Sequence, residues 1–224
     1  MSPTLARRAL AELLGTAFLV AAVIGSGIAA SRLSPDDVGL QLLENSLVTG
    51  AALVALILAL HPVSAAFNPI ITLALRVRGE VTSRDAVVLV LAQVGGGALG
   101  AVLANLMFDL PAISVATHER TGSGLWLGEA VATFGLVLVV FGSLRATSPT
   151  AVAYAVGGYI TAAYWFTSST SFANPAVTLA RTLSDSFAGI APSSVAMFLL
   201  LQVVGGGLGL AAVHVLHPIP RRAS

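Results

Sequence analysis

The chain reads as an all-α membrane protein: six transmembrane helices plus two re-entrant half-helices in an inverted repeat. Three observations predict this. First, 56% of its 224 residues are apolar and only 9% are charged, against about 25% charged in a soluble domain. Second, six long apolar runs are bounded by charge or by Gly and Pro. They lie near 9–31, 41–60, 86–108, 124–144, 150–167 and 193–216, each long enough to approach or cross a ~30 Å hydrocarbon core. Third, Asn-Pro occurs twice and opens the same phrase each time, Asn68-Pro69-Ile70-Ile71-Thr72-Leu73-Ala74 and Asn174-Pro175-Ala176-Val177-Thr178-Leu179-Ala180.

The first run follows Met1 to Arg8 with no small-residue cleavage site, so it is expected to be a retained span rather than a signal peptide. Every cationic residue other than His is Arg. With the N-terminus in the cytoplasm, Arg7, Arg8, Arg76, Arg78, Arg84, Arg145, Arg221 and Arg222 fall on that side. Arg32, Arg120 and Arg181 fall on the other. Eight against three agrees with the positive-inside rule. Asp36, Asp37, Glu44, Asp109 and Glu119 collect outside, and an even number of spans puts both termini in the cytoplasm.

The half-helices fall after the second and fifth spans. Asn is a strong N-cap and Pro is favoured at the first helical position, so each Asn-Pro starts a helix. Arg76 and Arg78 follow the first phrase, and Arg181 and Asp185 the second. Neither helix therefore stays apolar beyond about nine residues, roughly 14 Å, or half the membrane. The halves also repeat. Glu12-x-x-x-Thr16 is echoed by Glu129-x-x-x-Thr133, and Gln93-Val94-Gly95-Gly96-Gly97 by Gln202-Val203-Val204-Gly205-Gly206-Gly207. Repeat one covers about 1–110 and repeat two about 120–220 of a single channel domain spanning 1–224. Three spans per half invert the second copy, and the half-helices then meet tip to tip at the midplane. Gly96/Gly100 and Gly205/Gly209 have the small-xxx-small spacing of close helix crossings.

Several functions are excluded. There is no Cys for disulfides, thiolate chemistry or thiolate-bound metal. A net charge of +1 offers no nucleic-acid surface. His118, His214 and His217 lack metal-ligand spacing, and no nucleophile–base set suggests an enzyme. No cofactor or metal is expected.

With these features the chain resembles the aquaporin, or major intrinsic protein, family over nearly its whole length. The carrying residues are Glu12-Leu13-Leu14-Gly15-Thr16, His61-Pro62-Val63-Ser64-Ala65-Ala66-Phe67-Asn68-Pro69, Asn174-Pro175-Ala176 and the Gln-Val-Gly-Gly-Gly segments. The resemblance implies a right-handed six-helix bundle, a homotetramer with one pore per subunit, and conduction of water or small neutral solutes. Two departures stand out. Ile70 replaces the usual Ala of the first motif, and Val177 occupies the position where the family carries the Arg of its selectivity filter. Among subgroups, the chain is most similar to the aquaglyceroporin-like channels of bacterial arsenic-resistance operons, which implies a bacterial inner-membrane location.

Physically, each Asn caps its half-helix through the side-chain oxygen, leaving its NH₂ free to face the pore. The two helix N-termini add positive partial charge there. Segments 61–67 and 167–173 are expected to line the approaches with backbone carbonyls. Glu12 and Glu129 are the acids deep in full spans. They are read as supports that accept backbone N–H groups of the re-entrant loops, with a proton relay as the alternative. By position in the family, the filter comprises Val177, Ser171, a second-span residue that is Thr49 or Val48 (Thr49 favoured), and fifth-span Ala162. All are uncharged, so the constriction is expected to be wider and less polar than a water-selective one. Arg181, one turn beyond Val177, is expected to snorkel to solvent; the alternative is that it leans over the mouth and restores the lost charge. His61 stands at the cytoplasmic approach, bonded to loop backbone or sensing pH. Trp126, Tyr154, Tyr159, Tyr164 and Trp165 are expected as interface anchors or packing.

The expected function is passive conduction of small neutral hydroxylated solutes: water, glycerol-like polyols and arsenous acid. The alternative is a secondary transporter or ion-conducting channel on an inverted repeat. A third reading is a structural membrane protein whose pore Ile70 closes.

Overall fold

The computed structural model describes residues 3–146 and 149–216. Arg221, Arg222 and His217, and the side chain of Arg145, lie outside the described residues. The order of elements is α1 (Leu5–Leu33), α2 (Val38–Leu60), α3 (Pro69–Val77), α4 (Ser83–Met107), α5 (Ser123–Ala146), α6 (Pro149–Phe166), α7 (Pro175–Ala180) with a 3₁₀ turn at Arg181–Leu183, and α8 (Pro192–Leu216). The side carrying residues 34–37 and 108–122 is termed upper, and the opposite side lower.

Helices α1, α2, α4, α5 and α8 are each long and apolar enough to cross a membrane. The protein is an integral membrane protein. Large apolar side chains such as Phe18, Leu91 and Leu208 are exposed on the outside of the bundle, as lipid-facing helices require.

Side-chain caps explain where several helices start. Thr4, Asp37 and Thr82 accept backbone N–H groups at the heads of α1, α2 and α4. Asn68 and Asn174 do the same for α3 and α7, each followed by Pro in the first turn. The half-helix α3 has nine residues. Its counterpart α7 has six before it tightens into the 3₁₀ turn, so the second half-helix is shorter than the phrase alone suggests.

Glycine sets the main pairings. A Cβ on Gly96 would stand 2.2 Å from the Leu13 carbonyl oxygen, and one on Gly100 2.2 Å from that of Ala17. In the second half a Cβ on Gly205 would stand 2.2 Å from the Ala130 oxygen. Helices α1 and α4, and α5 and α8, thus cross backbone to backbone at matching places. Helix α6 closes the bundle against α2 and α5, and α3 and α7 fill its centre against α4 and α8. The pseudo-two-fold repeat is present in both contacts and hydrogen bonds.

Candidate functional site

The two re-entrant loops meet inside a cage of matched hydrogen bonds. Phe67 and Ala173, the residues before each Asn, both have φ of 48°. A non-glycine residue there stores about 1–3 kcal/mol of strain and needs support. Support comes from both sides of each peptide. Glu12 accepts Phe67 N–H at 2.7 Å and Ala66 N–H at 2.9 Å. Glu129 accepts Ala173 N–H at 3.0 Å and Phe172 N–H at 2.9 Å. The Asn68 NH₂ donates to the Ala173 carbonyl at 2.8 Å, and the Asn174 NH₂ to the Phe67 carbonyl at 2.7 Å. Each left-handed residue is therefore held by a buried carboxylate at its N–H and by the facing Asn at its C=O.

A second layer orients the acids. Gln93 donates to Glu12 at 2.7 Å and to Thr72 at 2.8 Å; Gln202 donates to Glu129 at 2.6 Å and to Thr178 at 2.9 Å. Both acids are fully buried, and their bonds are to loop backbone and neighbouring side chains. The Asn oxygens cap as expected, on Ile70 N–H and on Ala176 and Val177 N–H. One proton of each NH₂ is committed to the opposite loop, so one donor per Asn, not two, is left for a solute.

A continuous cavity runs past these groups. Its walls are apolar and come from every fourth residue of the surrounding helices: Leu53 and Ile57, Leu136 and Val140, and Val152, Val156 and Ile160. A narrow polar strip is set into them, made of Asn68, Asn174, Ser171, Thr49 and loop backbone at Ala65–Phe67. Val177 also faces the cavity. Ile70 does not border it. Its Cγ2 lies where a Cβ on Gly206 would sit, 2.5 Å away. The bulk added at Ile70 is thus absorbed by a glycine of α8 rather than plugging the path.

At the upper constriction the structure differs from the sequence reading at Ala162, Tyr164 and Arg181, but not at the second-span position. Thr49 faces the cavity, whereas Val48 is exposed. Ala162 is exposed, and the residue that α6 turns inward at this level is Tyr164. Residues 152, 156, 160 and 164 share one face of the helix, and 162 lies about 200° around from 160 at 100° per residue. The Tyr164 hydroxyl shares a 3.1 Å hydrogen bond with Thr49 Oγ1, so it is a cavity residue and not an interface anchor. The third difference is Arg181. It does not snorkel; it is only 2% exposed and borders the cavity. Its Nε donates to the Ala188 carbonyl, and its guanidinium carbon stands 3.4 Å from the Phe172 ring centroid.

Sequence reasoning missed Arg120, which joins Arg181. It is 8% exposed, donates to the carbonyls of Gly189 (2.9 Å) and Phe187 (3.2 Å), and stands 5.1 Å from the same Phe172 centroid. The two guanidinium carbons, 3.4 and 5.1 Å from one point, are at most 8.5 Å apart. At that limit their repulsion is about 2 kcal/mol for an effective dielectric near 20. Burial pushes the Arg120 guanidinium down to about 10, against the pull of Glu129 and Tyr164; it stays charged at neutral pH. His118 beside it is lowered by burial and then by Arg120 and Arg181, against Asp185. Loop 108–122 is fastened over α7 by Ser114 N–H to Leu183 and Ala116 N–H to Thr182. No sequence motif announces this arrangement.

At the lower end, His61 is exposed, and its Nδ1 lies 3.2 and 3.0 Å from the carbonyls of Ile57 and Leu58. It closes the end of α2 and does not border the cavity.

Known proteins resemble this chain in sequence and in fold. The family model described as major intrinsic protein matches residues 1–148. Aquaglyceroporin AqpS of Rhizobium meliloti (strain 1021) is 48% identical over 225 residues, covering 98% of this chain and 96% of its own. The probable aquaporin AqpM of Archaeoglobus fulgidus is 32% identical over 240 residues, covering 95% and 96%. The X-ray structure of the aquaglyceroporin from Plasmodium falciparum superposes with a TM-score of 0.72 over 96% of this chain and 98% of that one, at 18% identity. Such identity speaks for the fold alone. Sequence relatives, fold and the paired Asn-Pro tips agree: the chain belongs to the major intrinsic protein family of non-catalytic membrane channels for small solutes.

Proposed function

We propose that this channel passively conducts small uncharged hydroxylated solutes larger than water, glycerol-like polyols and arsenous acid among them, together with water. The observation that carries this reading is Val177 facing the cavity at the family's filter position, where a short apolar side chain replaces a long cation. Thr49, Ser171 and Tyr164 also line the cavity and are hydroxyl-bearing. Ser171 borders the cavity, and its buried hydroxyl has no protein partner among the described residues. Asn68 and Asn174 each retain one donor at the centre. A compact molecule covered in hydroxyls satisfies donors and acceptors along such a strip while its carbon or arsenic centre rides the apolar wall. The relative named an aquaglyceroporin supports the wider solute range.

The positive ends of two half-helices and the guanidinium of Arg181 oppose cations along this path. Arg181 takes over, one turn further out, the charge that Val177 lacks. As part of the same proposal, the channel resides in a bacterial inner membrane with both termini cytoplasmic and the upper face outside, and assembles as a homotetramer.

Reconstituted vesicles test the reading. Stopped-flow flux of glycerol and arsenous acid is expected well above that of empty vesicles, linear in concentration and indifferent to a proton gradient. Saturating flux that follows the proton gradient would instead favour a secondary transporter. No flux of any neutral solute would favour a closed, structural protein.

A further inference from the structure

We propose that the upper vestibule contains a binding site for a small oxyanion, formed by the guanidinium groups of Arg120 and Arg181. Both side chains are more than nine-tenths buried. Among the described residues, the ion pairs are Arg8–Asp85 and Arg78–Glu80, so neither vestibular Arg has a carboxylate within 4.0 Å. Two acids of this region bond other donors. Glu129 holds two loop N–H groups and Gln202, and Asp185 Oδ1 takes the N–H and hydroxyl of Thr117.

Several guanidinium N–H groups are left without a protein acceptor among the described residues. Arg181 bonds protein through Nε alone, and its two terminal nitrogens have no protein partner among the described residues. Arg120 commits Nε and one terminal nitrogen and leaves the other. Both residues border a side pocket shared with His118, Thr170 and Asn45, and Arg181 also borders the solute path. Buried charge is stable only when paired and hydrogen-bonded. Protein carbonyls satisfy part of that need here, and carbonyls carry no net charge. Planar guanidinium forks recognise the oxygen pairs of oxyanions in a way that a lone ammonium does not. An oxyanion held here stands at the entrance to the pore, so its occupancy slows the flux of neutral solutes. Such a block acts whichever neutral solute the channel carries.

The test uses inorganic sulfate against chloride at matched ionic strength, on the full-length protein in detergent and in vesicles. Sulfate is expected to raise the melting temperature saturably and to reduce water flux over the same concentration range. Arg120→Gln and Arg181→Gln should lose both effects, and Arg181→Lys should weaken the apparent affinity by about tenfold because the fork is lost. General salting effects are not saturable and are common to all variants. A melting temperature that rises linearly, and equally in wild type and variants, would overturn the site. So would unchanged water flux in wild type, a result that stands even if a variant fails to fold. Loss of glycerol or arsenous acid conduction with sulfate block of water intact would instead count against the proposed solute range alone.

Discussion

Asn68 and Asn174 divide their hydrogen bonds in the same way. The oxygen caps a half-helix, one proton bridges to the opposite loop, and one donor is left over. Their capping was legible because it depends on neighbours in the chain. Tyr164 was not legible. Helix α6 is apolar on nearly every side, so its sequence carries no periodic mark of which face turns inward; packing against α2 decides that. The Thr49–Tyr164 bond joins residues 115 positions apart. Enlarging Tyr164 to Trp should cut glycerol flux several-fold, whereas Ala162→Leu, on the exposed face, should leave it within error. Stopped-flow permeability checks both, and the reverse pattern would restore Ala162 as the constricting residue. Arg181 was misread for a related reason. Its place near the membrane boundary suggested solvent, while the Phe172 ring and the Ala188 carbonyl hold it inward.

At the scale of elements, the paired acids and glycines were visible as repeats, and the structure gives each a mechanical task. Glu12 and Glu129 hold left-handed residues that would otherwise relax. Gln in either place turns an NH₂ toward backbone N–H donors, and each substitution should lower stability by about 1–3 kcal/mol. Thermal unfolding measures this; unchanged stability with loss of a proton-dependent flux would point to proton relay. The glycines make a sharper contrast. Gly96→Ala and Gly205→Ala drive a methyl into a carbonyl that cannot move aside and should cost about 1–3 kcal/mol or more. Gly95→Ala and Gly207→Ala meet nothing within 4 Å and should be neutral or slightly stabilising, since Ala outranks Gly in a helix. Equal behaviour of the two sets would remove the close crossings from the account. The sequence spacing named the right glycines, but only the structure identifies the carbonyls they admit.

For the whole molecule, the inverted repeat places two opposed half-helices at mid-membrane and surrounds them with apolar walls. The repeat and the span pattern were readable because hydropathy and paired motifs survive without any knowledge of contacts. Loop 108–122 was not, since its role depends on landing over α7 and bringing Arg120 beside Arg181. In the proposed channel two tasks are separate: width is set near Val177, and cation exclusion at Arg181 and the half-helix tips. The most direct test of this division is the permeability of Val177→Arg in vesicles, measured for water, glycerol and arsenous acid beside the wild type. A long cation at that position should reduce glycerol and arsenous acid flux by about tenfold or more while water continues to pass. Unchanged flux of the larger solutes would contradict a filter set at Val177, and with it the proposed solute range.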